Sequence, residues 1–249
     1  MHRKDEIPGS RSRLTNVAST IRVVAKRLGW PHTLLWSCAA FGRRFSTYFF
    51  VVTIHPIDDD EARTGPDTVG LDGRLLSRDD VVRVFNQAEG YSYSRPFAVE
   101  ALSRGDRCFG LFEEERLLWY CWYAREAAPV FDDVDAVAEF PFLYAYNAYT
   151  NPAHRGRGLH RIGVEQSARF FAREGYRGIT AYIEAHNVAP LIAARNMGER
   201  FVGFAAVHRT ARRSRWFATR GCRKAAFRLQ RRLVEASLGR PAHENRRAT

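Results

Sequence analysis

The run from Phe142 to Gly175 constrains the fold more than any other part of the chain. Phe142–Thr150 (FLYAYNAYT) is aromatic and strand-like, Pro152 ends it, and Arg155-Gly156-Arg157-Gly158 follows. From Gly158 to Glu174 the pattern is helical, and Gly175 closes it. A strand that passes through two closely spaced glycines into a helix makes a β–loop–α unit. Glycine lets the loop backbone bend so that successive N–H groups point at one spot. The helix start adds unpaired amides and the positive end of its dipole. Arg155 and Arg157 add full charges, so the loop suits a pyrophosphate and needs no catalytic side chain to bind one. The chain has no G-x-G-x-x-G after a first strand and no G-K-[ST], so the two better-known nucleotide loops are excluded.

The surrounding pattern alternates helices and strands. Leu14, Val17, Ile21, Val24 and Leu28 recur at helical spacing and stop at Gly29, and Leu34–Phe41 suits a second short helix. Thr47–His55 reads as a strand, and residues 58–74 read as an exposed loop. Ser77 with Asp79 and Asp80 opens a helix to about Ala88, and a short helix is expected over Arg95–Ser103. Arg107–Phe112 and Arg116–Tyr123 form strands around a solvated Glu113-Glu114-Glu115 turn, with Trp119, Tyr120, Trp122 and Tyr123 as core. After the central helix come a strand at Ile179–Glu184, a helix at Val188–Met197 closed by Gly198, and short strands at Phe201–His208 and Arg215–Thr219. The layout is mixed α/β, without internal repeats.

Charge divides the chain into three parts. Residues 1–44 hold 9 Lys/Arg against 2 Asp/Glu, and residues 205–249 hold 13 against 2, whereas 45–204 hold 17 against 23. Basicity therefore lies at the ends, giving a basic helical extension (1–44), a central domain (45–220), and a basic amphipathic helix and tail (221–249). In the tail, Ala226, Leu229, Leu233 and Ala236 line one face of a helix expected from Cys222 to Leu238. Such helices pack on the domain, lie on an anionic membrane surface or, less favourably, meet nucleic acid. No apolar run reaches the roughly 18–20 residues of a spanning helix. The first residues carry charges without an apolar stretch behind them, so a secretory signal is not expected. Four scattered cysteines without a C-x-x-C pair read as reduced thiols of a cytoplasmic protein, peripheral to the inner membrane surface if the ends meet lipid.

The segment Arg155-Gly156-Arg157-Gly158-Leu159-His160 resembles the acyl-CoA loop of the GNAT superfamily of N-acetyltransferases, [Q/R]-x-x-G-x-[G/A] at the start of a helix. The resemblance covers residues 143–204, with a compatible element order from 47 to 220. His160 departs from the family's small residue, which implies a wider approach of the phosphates or an outward-turned ring. Asn187, the helix Val188–Met197 and Gly198 match the family's next unit, while its frequent thiolate-protonating tyrosine falls at Ala194. The resemblance implies a GNAT-like, mainly antiparallel twisted sheet flanked by helices, with acetyl-CoA as cosubstrate and no metal. The cofactor-binding positions would be Ala148, Thr150, Arg155, Gly156, Arg157, Gly158, Leu159, His160 and Asn187. The strand before the loop would part from its neighbour at a bulge. Its amides near Ala148 and Thr150 would pair with the pantetheine arm and stabilise the oxyanion during direct transfer to an amine. For the base, Glu184 ranks first, with Tyr146 and Tyr144 (and also Asn147 and His186) as alternatives.

Two functions follow. One is an acyltransferase, with acetyl as the expected group, for an amine of a small molecule, sugar or protein. The other is a catalytically weak acyltransferase-like protein recruited by its basic ends to membrane or nucleic acid; Ala194 and the missing strand glutamate favour it, and the intact loop favours the enzyme.

Overall fold

The structure, a computed structural model, describes residues 11–57, 70–86 and 95–232. Helices α1 (Arg11–Leu28) and α2 (Trp30–Gly42) form a hairpin that leads into strand β1 (Thr47–Pro56). Strand β2 (Asp72–Leu75), helices α3 (Arg78–Asn86) and α4 (Arg95–Ser103), and strands β3 (Arg107–Glu113) and β4 (Arg116–Ala124) follow. Next come β5 (Ala127–Phe131), β6 (Val134–Ala138), β7 (Phe142–Thr150), α5 (Leu159–Ala172), β8 (Gly178–Glu184) and α6 (Val188–Asn196). Strands β9 (Arg200–Arg209) and β10 (Ser214–Ala218), the short α7 (Arg220–Lys224) and β11 (Phe227–Arg231) complete the described chain.

Eight strands form one sheet in the order β10-β9-β1-β8-β7-β4-β3-β2. Every pairing in it is antiparallel except β7 with β8. That exception follows from the sequence, because a strand–helix–strand unit returns its second strand parallel to its first. The fold is thus the mixed, mainly antiparallel α/β class expected. Strand β1 inserts between β8 and β9, so the N-terminal part of the chain completes the C-terminal half of the sheet.

Side-chain alternation gives the sheet two cores. On one face α5 covers β3, β4 and β7 through Leu159, Val164, Ala168 and Phe171, which meet Trp119, Leu118 and Tyr123. The N-terminal hairpin packs on the same face, where Val24, Leu28 and Ala39 join Val51, Ala185 and Leu191. Each such fully buried large apolar side chain contributes about 1.5–3 kcal/mol. On the other face lie α3, α4 and a second sheet in the order β11-β6-β5. Trp119, Tyr120, Trp122 and Tyr123 are all buried core, as expected.

Several expectations are corrected. The tail does not continue as a helix from Cys222: α7 ends at Lys224, Ala226 takes a left-handed φ of 54°, and β11 pairs antiparallel with β6. Phe227 and Leu229 are buried while Arg228 is exposed, a two-residue alternation that overrides the helical spacing. The part of the predicted helix beyond Arg232 lies outside the described residues, as does most of the predicted loop at 58–74. At the end of that loop Asp72–Leu75 is a strand, paired with β3 at the sheet edge. Strands β5 and β6, unforeseen in the sequence, form a hairpin whose residues bury against β7 and β11.

Candidate acyl-CoA site

Strand β7 keeps register with β8 only from Phe142↔Gly178 to Ala145↔Ala181. Against β4 its register shifts between Tyr146 and Tyr149, where three residues of β7 span two steps of β4. Asn147 sits at this bulge with φ 55°, a left-handed conformation that asparagine tolerates better than most residues. Beyond Ala145, β7 pairs with β4 but with no strand on the β8 side among the described residues. The expected parting at a bulge is present. The opening it leaves is a cleft of about 160 Å³ lined by Ala145, Asn147, Ala148, Val164, Ile183 and Ala194, with polar groups from His55, His160, Cys121 and Glu199.

The loop joins β7 to α5, and the residues on either side of it, Asn147 and Ala148 before and His160 and Val164 after, line this cleft. Asn151 accepts from the Ala153 N–H at 3.1 Å, and Pro152 opens one turn of 3-10 helix. Gly156 (φ 82°) and Gly158 (φ 73°) both take left-handed conformations, and a Cβ at either would meet nothing within 4 Å. The glycines are therefore required by backbone conformation, and the space beside them is open. Gly158 is the N-cap of α5 and has no side-chain oxygen to offer, so no cap engages the first-turn amides.

The two arginines have different roles. Among the described residues, Arg155 Nε donates to the Thr150 carbonyl at 3.4 Å. Arg157 is held by Glu113 at 2.6 Å and lies 2.9 Å from His154 Nδ1. Glu113 thus belongs to an ion pair as well as to its turn, and Arg157 is directed toward β3 rather than to the loop's centre. Leu159 is buried in the α5 core, leaving its backbone as its contribution to the loop. Asn187 is exposed at the start of α6 and is not among the cleft-lining residues.

His160 corrects an expectation, because its ring turns inward. Its Nδ1 accepts the Trp119 indole N–H at 3.1 Å, which leaves Nε2 to carry the imidazole hydrogen. Burial lowers its pKa, which favours the neutral ring that this hydrogen bond needs. Trp119, in turn, is pressed against Gly163 of α5.

Of the base candidates, Glu184 does not line the cleft. It lies at the end of β8 with its carboxylate 3.4 Å from Arg43 and 3.1 Å from His186. Tyr144 and Tyr146 share a sheet face as expected, their rings stacked at 5.7 Å. Tyr144 is buried core, and its phenol is pushed well up by burial. Tyr146 borders the cleft and donates its hydroxyl to Asp106 at 2.5 Å, while Arg104 holds the same carboxylate at 2.8 Å. Burial, then the adjacent Asp106 charge, raises the Tyr146 pKa. Neither tyrosine is basic near neutrality.

Two groups that sequence reasoning passed over do face the cleft. Glu199, in the turn between α6 and β9, is the only carboxylate among the described residues that line it, and burial raises its pKa. His55, at the end of β1, is buried, and neither ring nitrogen has a hydrogen-bond partner among the described residues. Both come from elements distant in sequence from the loop, and no spacing signals them. Cys121 also lines the cleft, and burial pushes its thiol up to about 12. No group of three or more His, Cys, Asp or Glu suited to a metal occurs among the described residues.

No family model and no curated protein matches this sequence. Its fold is similar to several solved structures. One is a Drosophila protein at 17% identity, over 64% of this chain and 50% of that one, with a TM-score of 0.44. Another is a GNAT-family protein of Novosphingobium aromaticivorans, at 17% identity over 75% and 66%, with a TM-score of 0.43. A third is a Salmonella typhimurium protein solved with acetyl-CoA as its cofactor, at 16% identity over 52% and 79%, with a TM-score of 0.37. The chain thus spans half the length of the first and 66% of the second.

Proposed function

We propose that the chain is a GNAT-type N-acyltransferase that passes an acyl group, acetyl in the first instance, from acyl-CoA directly to an amine. The observation that carries this reading is the parting of β7 from β8 at the Asn147 bulge, beside the Gly156–Gly158 turn and the uncapped start of α5. A pyrophosphate fits the turn because both glycines are left-handed and face open space. The amides of Leu159 and His160 and the guanidinium of Arg155 would hold it. The free edge of β7 at Ala148 and Thr150 would take the pantetheine arm as an added strand. When bound, acyl-CoA supplies the activated thioester carbonyl.

The residues of the chain bind, orient and move a proton. Val164, Ile183 and Ala194 line the cleft with apolar surface that keeps water from the acyl group. Glu199 replaces Glu184 as the group that accepts the proton of the incoming ammonium, and its raised pKa brings it closer to the working pH. Cys121 supports direct transfer over an acyl-cysteine route. A thiol raised to about 12 is thiolate in only about one molecule in a hundred thousand at pH 7.

Two measurements test the reading. Acetyl-CoA should raise the melting temperature, and Gly158→Glu should abolish that rise by placing a carboxylate where the pyrophosphate would lie. Release of free CoA across amines, amino sugars and peptides should then identify the acceptor. No thermal response to any acyl-CoA at millimolar concentration would sink the proposal.

A further inference from the structure

We propose that the outer face of α2 docks this protein on an anionic phospholipid surface. From Trp30 to Gly42 the helix contains no Asp, Glu, Lys or Arg, although it lies at the surface. Its inner side, through Thr33, Ala39 and Gly42, is buried. On the opposite side Trp30, Leu34 and Phe41 fall within one narrow angular sector, and Phe45 extends the line one turn further. Their exposures are 70%, 67%, 65% and 59%, so four of the seven large apolar side chains exposed among the described residues lie on this one stripe. The Phe41 and Phe45 rings meet each other at a tilt, with centroids 5.1 Å apart.

The charges around the stripe decide its occupant. Exposed Arg22, Lys26 and Arg27 lie at the end of α1, and exposed Arg44 follows α2 beside Arg43, which is paired with Glu184 of β8. No Asp or Glu occurs from Ile7 to Ile57. An apolar stripe with a tryptophan at one end and cations at both ends matches a helix lying in the plane of an anionic bilayer interface. A second copy of the chain is the poorer fit, because a symmetric contact through this face would bring two sets of like charges together. The expectation of a lipid-facing basic helix therefore rests on the first helical hairpin and not on the tail, part of which is a strand.

Flotation of the full chain with vesicles tests this without any acyl-CoA, so its failure would leave the acyltransferase reading untouched. The protein should float with phosphatidylcholine vesicles carrying phosphatidylserine, and should be released from them by salt. Leu34→Asp/Phe41→Asp should weaken this binding by about tenfold or more, since each removes an apolar side chain from the interface. Both positions are exposed, so the variant should melt as the wild type does. The charge reversal Arg27→Glu/Arg44→Glu keeps the stripe and should weaken binding to anionic vesicles alone. Absence of flotation at low salt, or equal binding to neutral and anionic vesicles, would overturn the proposal. So would a dimer that the Asp variants dissociate, which would assign the stripe to a second copy.

Discussion

Gly163→Ala tests how α5 is held on the sheet, and with it the cofactor loop. A Cβ at Gly163 would lie 2.2 Å from Trp119 Cε3 and 2.4 Å from Cζ3, with a third ring atom at 2.5 Å. Carbon atoms pack at about 3.5–4.0 Å, so helix or ring must move by more than an ångström. Trp119 is fully buried and its indole N–H is bonded to His160, which leaves the ring little room to swing. Helix propensity alone would favour alanine by about 1 kcal/mol. Overpacking typically costs about 1–3 kcal/mol, and three ring atoms this close place the cost at the upper end. The net loss is then about 2 kcal/mol, or about 4–8 °C in melting temperature for a chain of this length. Because the displaced helix carries the loop's amides, the stabilisation by acetyl-CoA should also shrink. Differential scanning fluorimetry with and without acetyl-CoA reads both effects. Gly158→Ala is the control: its Cβ meets open space, and only the left-handed backbone is strained, by about 1–2 kcal/mol. A Gly163→Ala protein melting at or above the wild type would refute the packing argument.

Arg155→Ala should weaken acetyl-CoA binding by about tenfold or more by calorimetry, the value of a charge-assisted hydrogen bond. Arg157→Ala should change it by no more than about threefold, because that guanidinium is held by Glu113 at the surface. Glu199→Gln should lower kcat/KM and remove its rise with pH. The same residue has a stability signature: a carboxyl whose pKa is raised by folding contributes most below the ordinary glutamate value, and that contribution fades as pH climbs through the raised one. Thermal melts across that window should therefore fall less steeply in Glu199→Gln than in the wild type. Phe227→Ala should cost about 3–5 kcal/mol, since the side chain is buried against Tyr144 in a paired strand. An unchanged melting temperature would restore a solvated tail helix.

Much of the frame was legible because local chemistry dictated it. The helix expected from Gly158 to Glu174, between the paired glycines and Gly175, matches α5 to within two residues at each end. Ser77 and Asp80 do cap each other reciprocally, the Asp80 N–H donating to Ser77 Oγ and the Ser77 N–H to Asp80 at 3.1 Å each. Strands β1, β3, β4 and β7 were visible as aromatic and β-branched runs, whereas β5, β6 and β11 were not. Ala127–Phe131 and Val134–Ala138 are short and poor in aromatic residues. Phe227–Arg231 carries apolar residues whose spacing suits a helix until its partner strand is known. Pairing between distant segments is an energy that no local window contains.

The sequence by itself determined the β–loop–α unit around Gly156 and Gly158, because conformations open to glycine and amides at a helix start are properties of adjacent residues. It also carried a second short helix over Leu34–Phe41, which lies within the observed α2. Only the tertiary structure decided which groups meet in the cleft. It tied Glu184 to Arg43 and Arg157 to Glu113, turned His160 inward onto Trp119, and brought His55 from β1 and Glu199 from the turn before β9 to the cleft. It also decided which side of α2 was left facing solvent. Those outcomes depend on burial and on partners far along the chain, and desolvation and charge pairing come into being only when the sheet closes.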